Sequence, residues 1–498
     1  MAKKGKYSGG ADSSGSLVKG LIVVMGILVL FSLGLRLVIG SAGSGQPQLE
    51  APTVPTVEEP VTLPSIPEDT QPEKQSLWSR LFGSKKSEVT TQPEETEASE
   101  ATGVVARATI AVTGDILMHS GVIATGKQED GSYNFDSIFR YVNSYTQAAD
   151  FSVANLETTL CGTDNGYRYS GNPKFNCPDA IVDSLKSAGF DLLLTANNHA
   201  ADTSLVGFKR TLTTVRERGL ETLGTYLSSD EQKWTIQEVN GIKIGMVCYT
   251  YSEGFSKNGY PVLNYNELAE HGIVNSFTYD KLGDFYTEIG GYLEAMKQAG
   301  ADTTLVYLHW GDEYKWSSSD APNATQTAMA QKLCDLGVDV IVGGHPHVVQ
   351  PLDLLQSTVD SAHQTVILYS MGNAVSNQRK EELPKDEPTG HTEDGVLFCV
   401  TYTKYSDGSV YTDSVELIPT WVNMNSNTGK KEYNIVPLEE KQMPQWQTLY
   451  QLTDSQLSGA KASFDRTQAI VSPGLAKIQN ALVRQKTDRE ALTIDEGA

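Results

Sequence analysis

From about residue 106 the chain repeats one pattern: apolar runs of strand length, each ending in polar residues, with helix-period segments between several of them. RATIAVTGD (107–115), ADFSVANLE (149–157), FDLLLTANNH (190–199), IKIGMVCYTY (242–251), DTTLVYLHWGDEY (302–314), DVIVGGHPH (339–347) and TVILYSMGN (365–373) read as strands. AIVDSLKSAG (180–189), FKRTLTTVRERG (208–219) and TAMAQKLCDLG (327–337) read as helices, the last two stopping at a C-terminal Gly. This alternation predicts an α/β fold with a largely parallel central sheet. After residue 395, VLFCVTYT and SVELIPTWV alternate without helices between them, which predicts a second, more antiparallel sheet closing a domain over 106–422. Residues 423–498 read as a polar tail with helical stretches at 454–465 and 474–491.

The chain before residue 106 has a different texture. LIVVMGILVLFSLGLRLVIG (21–40) is apolar except for Arg36, long enough to span a bilayer, and follows Lys3, Lys4, Lys6 and Lys19. These features predict a cytoplasmic tail over 1–16, a transmembrane anchor over 17–40 and an extracytoplasmic remainder, by the positive-inside rule. A signal peptide cut near SAG (41–43) is the competing reading. Residues 41–105 are rich in Pro, Glu, Ser, Thr and Gln and read as a disordered linker. Within it SLWSRLFGSKKS (76–87) is either a short interfacial helix or a local apolar patch.

The chemistry collects at the carboxyl ends of the predicted strands, the edge where open α/β sheets bind ligands. Asp115 follows TIAVTG, Asn155 and Glu157 close FSVANLE, and Asn197, Asn198 and His199 close DLLLTANNH. His309 ends TLVYLH, and His345 and His347 follow DVIVGG; IKIGMVCYTY alone brings no such group. Each residue has an ordinary explanation as a turn former or a satisfied histidine. Carboxylates, carboxamides and three imidazoles at matching strand ends point instead to a divalent metal site of the zinc, manganese or iron type.

Two global properties limit the partners. A formal net charge of −22, from 39 Lys+Arg against 61 Asp+Glu, argues against nucleic-acid binding. The cysteines at 161, 177, 248, 334 and 399 form no CxxC pair, so no structural zinc cluster is expected. Cys161 and Cys177 bracket a polar loop with Arg168 and Lys174, a candidate lid, and either pair in an oxidising compartment or stay free.

GD (114–115), NLE (155–157), NNH (197–199), HWG (309–311), GGHPH (343–347) and SMGN (370–373) occur in the order found in CapA-type poly-γ-glutamate capsule synthesis proteins. That family resembles the calcineurin-like metallophosphoesterases. The resemblance covers about 107–380 and implies a four-layer α/β/β/α sandwich with two divalent ions at its carboxyl edge. It implies that Asp115 and His347 serve the first ion, that Glu157 bridges both, and that Asn198, His309 and His345 serve the second. His199 would assist the leaving group as general acid. The DxH of phosphoesterases is absent, because Ile116 and Leu117 follow Asp115; either His119 replaces it or the first ion lacks one ligand. Asp202 either orients His199 or caps the next helix. Asn155, Asn197, Trp310, Glu313 and Asn373 are expected to face substrate, with loop packing as the alternative for Trp310 and Glu313 and a turn role for Asn373.

The function so implied is hydrolysis or transfer at a phosphate ester or related bond during assembly of an anionic cell-surface polymer. An amide-acting enzyme on polyglutamate is a rival. So is a non-catalytic polymer-binding subunit of a capsule synthesis and export complex.

Overall fold

The computed structural model describes residues 103–316, 321–383, 388–426 and 429–495. The expected cytoplasmic tail, anchor and nearly all of the linker lie outside the described residues. Among the described residues no helix is long and apolar enough to cross a membrane.

The apolar runs become the centres of two sheets. In the first, the order is Glu432–Pro437, Val410–Asn425, Asp394–Tyr405, Val104–Ile116, Phe151–Leu156, Leu192–Leu194 and Glu221–Leu223, with Asn373–Val375 also paired to Val104–Ile116. The strands from Val104–Ile116 to Glu221–Leu223 run parallel. In the second, the order is Ser276–Phe277, Ile242–Tyr251, Thr303–His309, Val340–Gly344, Gln364–Leu368 and Leu352–Gln356, with Thr235–Val239 antiparallel to Ile242–Tyr251. Its middle strands are parallel too.

Side-chain alternation explains why the sheets pair. Ala108, Ile110 and Val112 pack in one cluster with Ile244, Met246, Leu305, Val340 and Val342 of the other sheet. The opposite face of the first sheet, at Ala111, Ala154 and Leu193, is covered by Ile181, Val182 and Leu185 of the helix Ala180–Ser187. The outer face of the second, at Val247, Val306 and Ile341, is covered by the helices Leu282–Gln298 and Ala324–Asp335. Both faces of each parallel strand are therefore apolar, as their near-continuous hydrophobic runs require. The helices Ser204–Glu217 and Ala324–Asp335 end shortly before Gly219 (φ 76°) and Gly337 (φ 87°), the left-handed positions that close their last turns.

The end of the chain departs from expectation. The antiparallel strands after residue 395 do not form a second sheet; Asp394–Tyr405 pairs directly with Val104–Ile116 and extends the first sheet. The expected boundary at 422 falls inside the strand Val410–Asn425, and Glu432–Pro437 adds a further strand. The two helical stretches of the tail are one helix, Asp454–Asp495, whose Val471 and Ile478 enter the inter-sheet core. Helical patterning marks 454–465 and 474–491, but the apolar face is too sparse to show that the helix is continuous or that it docks. Cys161 and Cys177 are buried and free rather than paired.

The long helix is also held by charge. Arg466 donates from Nε and Nη2 to the two oxygens of Asp394, at 2.7 and 2.6 Å, and Asp394 is 1% exposed. Burial pushes Asp394 up to about 6, so at pH 8 the carboxylate is charged and depends on this fork. Arg466→Ala is expected to lower unfolding free energy by about 3 kcal/mol at pH 8, because it strands a buried charge. Urea denaturation of Arg466→Ala, alone and combined with Asp394→Asn, checks this; a loss under about 0.5 kcal/mol would contradict it.

Candidate metal centre

Strand register assembles the site before any side chain is considered. Asp115 is level with Asn155 on one neighbour and Asn373 on the other, and His309 is level with Gly344 and Thr250. Parallel strands share one direction, so their carboxyl ends share one edge. Two sheets packed face to face bring two such edges together.

Five of the expected residues converge there in two groups of potential ligand atoms. Asp115, Glu157 and His347 form one, Glu157, His309 and His345 the other, and within each the atoms lie within 4.8 Å of one another. Glu157 belongs to both. His347 Nδ1 is 3.3 Å from Asp115 Oδ2, and His309 Nε2 is 3.4 Å from Glu157 Oε1. Asn198 Oδ1 lies 2.8 Å from His309 Nε2, which places the carboxamide beside the second group. Glu313, which is exposed, forms a third group with His345 and His347 at the rim.

The GGHPH backbone is shaped for this. His345 and His347 both have positive φ, 94° and 56°, an uncommon conformation for non-glycine residues. A Cβ on Gly343 would stand 2.0 Å from Tyr369 O, and one on Gly344 would stand 2.0 Å from Tyr307 Oη and 2.7 Å from Asp115 Oδ1. Glycine alone lets the strand end pass this close to Asp115, whose Oδ2 accepts from the His345 N–H at 3.2 Å.

The electrostatics are those of a site with a deficit of positive charge. Burial raises the Glu157 carboxyl well above its usual range, and the charges of Asp115 and Glu313 raise it further. Both Glu157 oxygens lack a hydrogen-bond partner although the residue is 0% exposed, and His345 Nδ1 is also unpartnered. Burial lowers His309 to about 3 and holds His345 well below the imidazole range, so both are neutral donors. Burial alone would lower His347 as well, but the hydrogen bond and charge of Asp115 carry it above its ordinary value. Burial raises Asp115, and the hydrogen bond and charge of His347, with the hydrogen bond from Asn155, more than reverse this. Carboxylate oxygens and neutral imidazoles facing one another, with the shared carboxylate unsatisfied, are compatible with a divalent cation.

Other expected residues fall into different places. His119 joins neither group of ligand atoms. Its Nδ1 accepts from the Asn377 N–H at 3.3 Å, its ring sits edge-on to Phe175, and burial lowers it to about 4. Trp310, expected to face substrate, is instead a core residue, 0% exposed, stacked on Tyr369 with Nε1 donating to Tyr369 O at 3.0 Å. As the first residue beyond the strand, its side chain turns to the outer face of the sheet. Asn155, Asn197 and Asn373 are each 0% exposed and support the ligands rather than lining an open surface. Asn155 donates to Asp115 Oδ1 at 2.7 Å, Asn197 donates to Leu156 O at 2.9 Å, and Asn373 Oδ1 lies 3.2 Å from His347 Nδ1. His199 and Asp202 pair at 2.8 Å between Nδ1 and Oδ2 beside this centre, and Asp202 Oδ2 also accepts from the Phe175 N–H at 2.7 Å.

Two tyrosines escaped the sequence reading. Tyr307 Oη lies 3.4 Å from Asp115 Oδ1 and 3.3 Å from His309 Nδ1. Tyr251 ends the strand that brought no carboxylate, carboxamide or imidazole, and its ring centroid is 4.8 Å from that of His345. Its place at a strand end was the available signal.

Fold and site together define a mixed α/β protein whose two sheets join their carboxyl edges around a buried imidazole and carboxylate cluster suited to divalent metal. The model of the family "Bacterial capsule synthesis protein PGA_cap" matches residues 109–378, more than half of the 498 residues, and the chain belongs to that family. It is 29% identical over 273 residues to the capsule biosynthesis protein CapA of Bacillus anthracis, covering 54% of this chain and 60% of that one. It is 32% identical over 271 residues to the PGA biosynthesis protein CapA of Bacillus subtilis (strain 168), covering 53% and 62%. The match thus spans about three fifths of these relatives. Among solved structures, the calcineurin-like phosphoesterase YfkN of Bacillus subtilis aligns over 72% of this chain and 99% of its own, with 15% identity and a TM-score of 0.35, too low to argue from.

Glu157 gives the site a testable signature. Its raised carboxyl means that the folded chain holds a proton the unfolded chain has released. Metal-free stability therefore falls as pH rises from the unfolded value near 4.5 upward through the folded one. Glu157→Gln is expected to flatten that fall and to stabilise the EDTA-treated chain by about 1 kcal/mol or more at pH 8. Added Mn²⁺ or Zn²⁺ is expected to raise the unfolding midpoint of the wild type but not of the variant. Thermal unfolding against pH, with and without metal, reads both.

Proposed function

We propose that this chain is a membrane-anchored, extracytoplasmic hydrolase or transferase that acts on phosphate ester or related bonds in the assembly of an anionic cell-surface polymer. The anchor is the apolar segment 17–40, and two packed sheets with helices on their outer faces support the layered sandwich that the resemblance implies. The observation that carries the reading is Glu157: a fully buried carboxylate with two unpartnered oxygens, shared by two groups of ligand atoms. The donor set fits two divalent cations, with Asp115 and His347 on one side of Glu157 and His309, His345 and Asn198 on the other. Bound there, such cations supply Lewis acidity to a water and to the phosphoryl oxygens.

The chain's own residues do the rest. Neutral His309 and His345 and the uncharged Asn198 add ligands without adding negative charge, which keeps the site attractive to an anionic ester. Asn155 and Tyr307 hold the Asp115 carboxylate in place, and Asn373 holds the His347 ring. His199, 8% exposed and backed by Asp202, is the proton donor for the leaving oxygen. Membership of the capsule synthesis family, with relatives named for capsule and PGA biosynthesis, supports a polymer as the substrate or its precursor.

Elemental analysis of the full-length chain, with assays on aryl phosphate esters and on polyglutamate, tests this. His199→Ala is expected to lose on the order of a hundredfold in turnover with cation content unchanged, while His345→Ala loses cation. A chain that takes up no stoichiometric divalent metal ends the proposal. Full capsule assembly by His199→Ala would favour the non-catalytic, polymer-binding reading.

A further inference from the structure

A short hairpin that the sequence reading passed over reaches the proposed proton donor. Pro261–Leu263 pairs antiparallel with Asn266–Glu267, Leu263 opposite Asn266, so the turn consists of Asn264 and Tyr265. Both have positive φ, 47° and 58°, the two-residue turn whose twist suits a hairpin and which favours Asn at its first position. Tyr265 points to solvent, 88% exposed, while the Asn264 side chain faces the site. Asn264 Nδ2 lies 2.8 Å from Asp202 Oδ1, 3.0 Å from Pro173 O and 3.2 Å from His199 Nδ1.

Counting hydrogens resolves these three contacts. A carboxamide NH₂ carries two protons. Asp202 Oδ1 and Pro173 O are acceptors only, which fixes the amide orientation and uses both. None remains for His199 Nδ1, so the 3.2 Å approach is packing. The proton between His199 Nδ1 and Asp202 Oδ2, 2.8 Å apart, therefore belongs to the imidazole. Asp202 is then fully engaged: Oδ1 by Asn264, Oδ2 by His199 and the Phe175 N–H. The Phe175 ring closes the other side of His199, with centroids 4.6 Å apart.

We propose that Asn264 is a positioning residue for His199: by occupying Asp202 Oδ1 and shielding Nδ1, it keeps the Nδ1 proton on the imidazole, so that Nε2 is the nitrogen that takes up a proton to form the imidazolium and gives it to the leaving oxygen. The donor is thereby assembled from three separate segments, the 173–175 loop, the 199–202 turn and the 261–267 hairpin. The assignment rests on the proposed role of His199, but its test needs no substrate.

The readout is the Nδ1–H proton of His199 in the metal-free full-length chain labelled with ¹⁵N-histidine, identified by its absence in His199→Gln. In wild type it is expected as a downfield resonance that exchanges slowly with water. Asn264→Gly keeps the turn conformation and deletes the amide; it is expected to lose this resonance while the resonances of the other histidines stay in place. Tyr265→Ala changes the turn without touching the amide, and the resonance is expected to persist. Persistence in Asn264→Gly overturns the proposal. So does loss in Tyr265→Ala, or loss in Asn264→Gly accompanied by displacement of the other histidine resonances, because either result assigns the effect to the hairpin's fold. If the chain cleaves no phosphate ester, the proposed function fails while this spectrum still decides what Asn264 does.

Discussion

A carboxylate that is fully buried and has no partner is the constraint around which this protein is organised. Glu157 sits at the end of a parallel strand with Asp115 and Asp202 close enough for their charges to raise it. Removing such a group from water costs several kcal/mol unless opposite charge is close by. Among the described residues the nearest candidates are imidazoles, and two of the three around it are held neutral by burial. Without a cation the carboxyl keeps its proton, and the donors gathered around it are compatible with a divalent cation taking that proton's place. The parallel strands, the strained histidine backbones and the glycine approach at 343 and 344 all place donors around that carboxylate.

Around the donors lies a shell of uncharged polar groups. Asn155 and Tyr307 reach Asp115, Asn373 reaches His347, and Asn198 meets His309. Carboxamides and phenols orient a ligand without changing the charge of the site. The same economy applies at His199, where Asp202 is the one carboxylate bonded to the ring among the described residues and a carboxamide from the hairpin completes it. The C-terminal helix supports this shell from outside, because Arg466 pins Asp394 and Gly390 on either side of Thr392, whose carbonyl accepts from Asn373.

How much of this was legible depends on the kind of contact. Asp115, Glu157, Asn198, His309, His345 and His347 stand at the ends of apolar runs, and parallel strands deliver their ends to a common edge whatever the loops do. Trp310 stood one residue past such an end and was misread, because alternation turns successive side chains to opposite faces. His119 sits near the site without joining the ligand groups, since its ring is held against Phe175. Asn155, Asn197 and Asn373 were recognised as site residues, but depth of burial, which makes them supports, is not written in residue type.

By itself the sequence determined the α/β alternation, the strands that carry the chemistry and the ligand types at their ends, because period and residue identity are local properties. Tertiary structure alone decided the joining of the late antiparallel strands to the first sheet and the docking of the 454–495 helix. It also decided the approach of Tyr251, Tyr307 and Asn264 to groups far away in the chain. Each of these depends on which surfaces meet, and a pairing between residues such as 115 and 307 leaves no periodic trace in either segment.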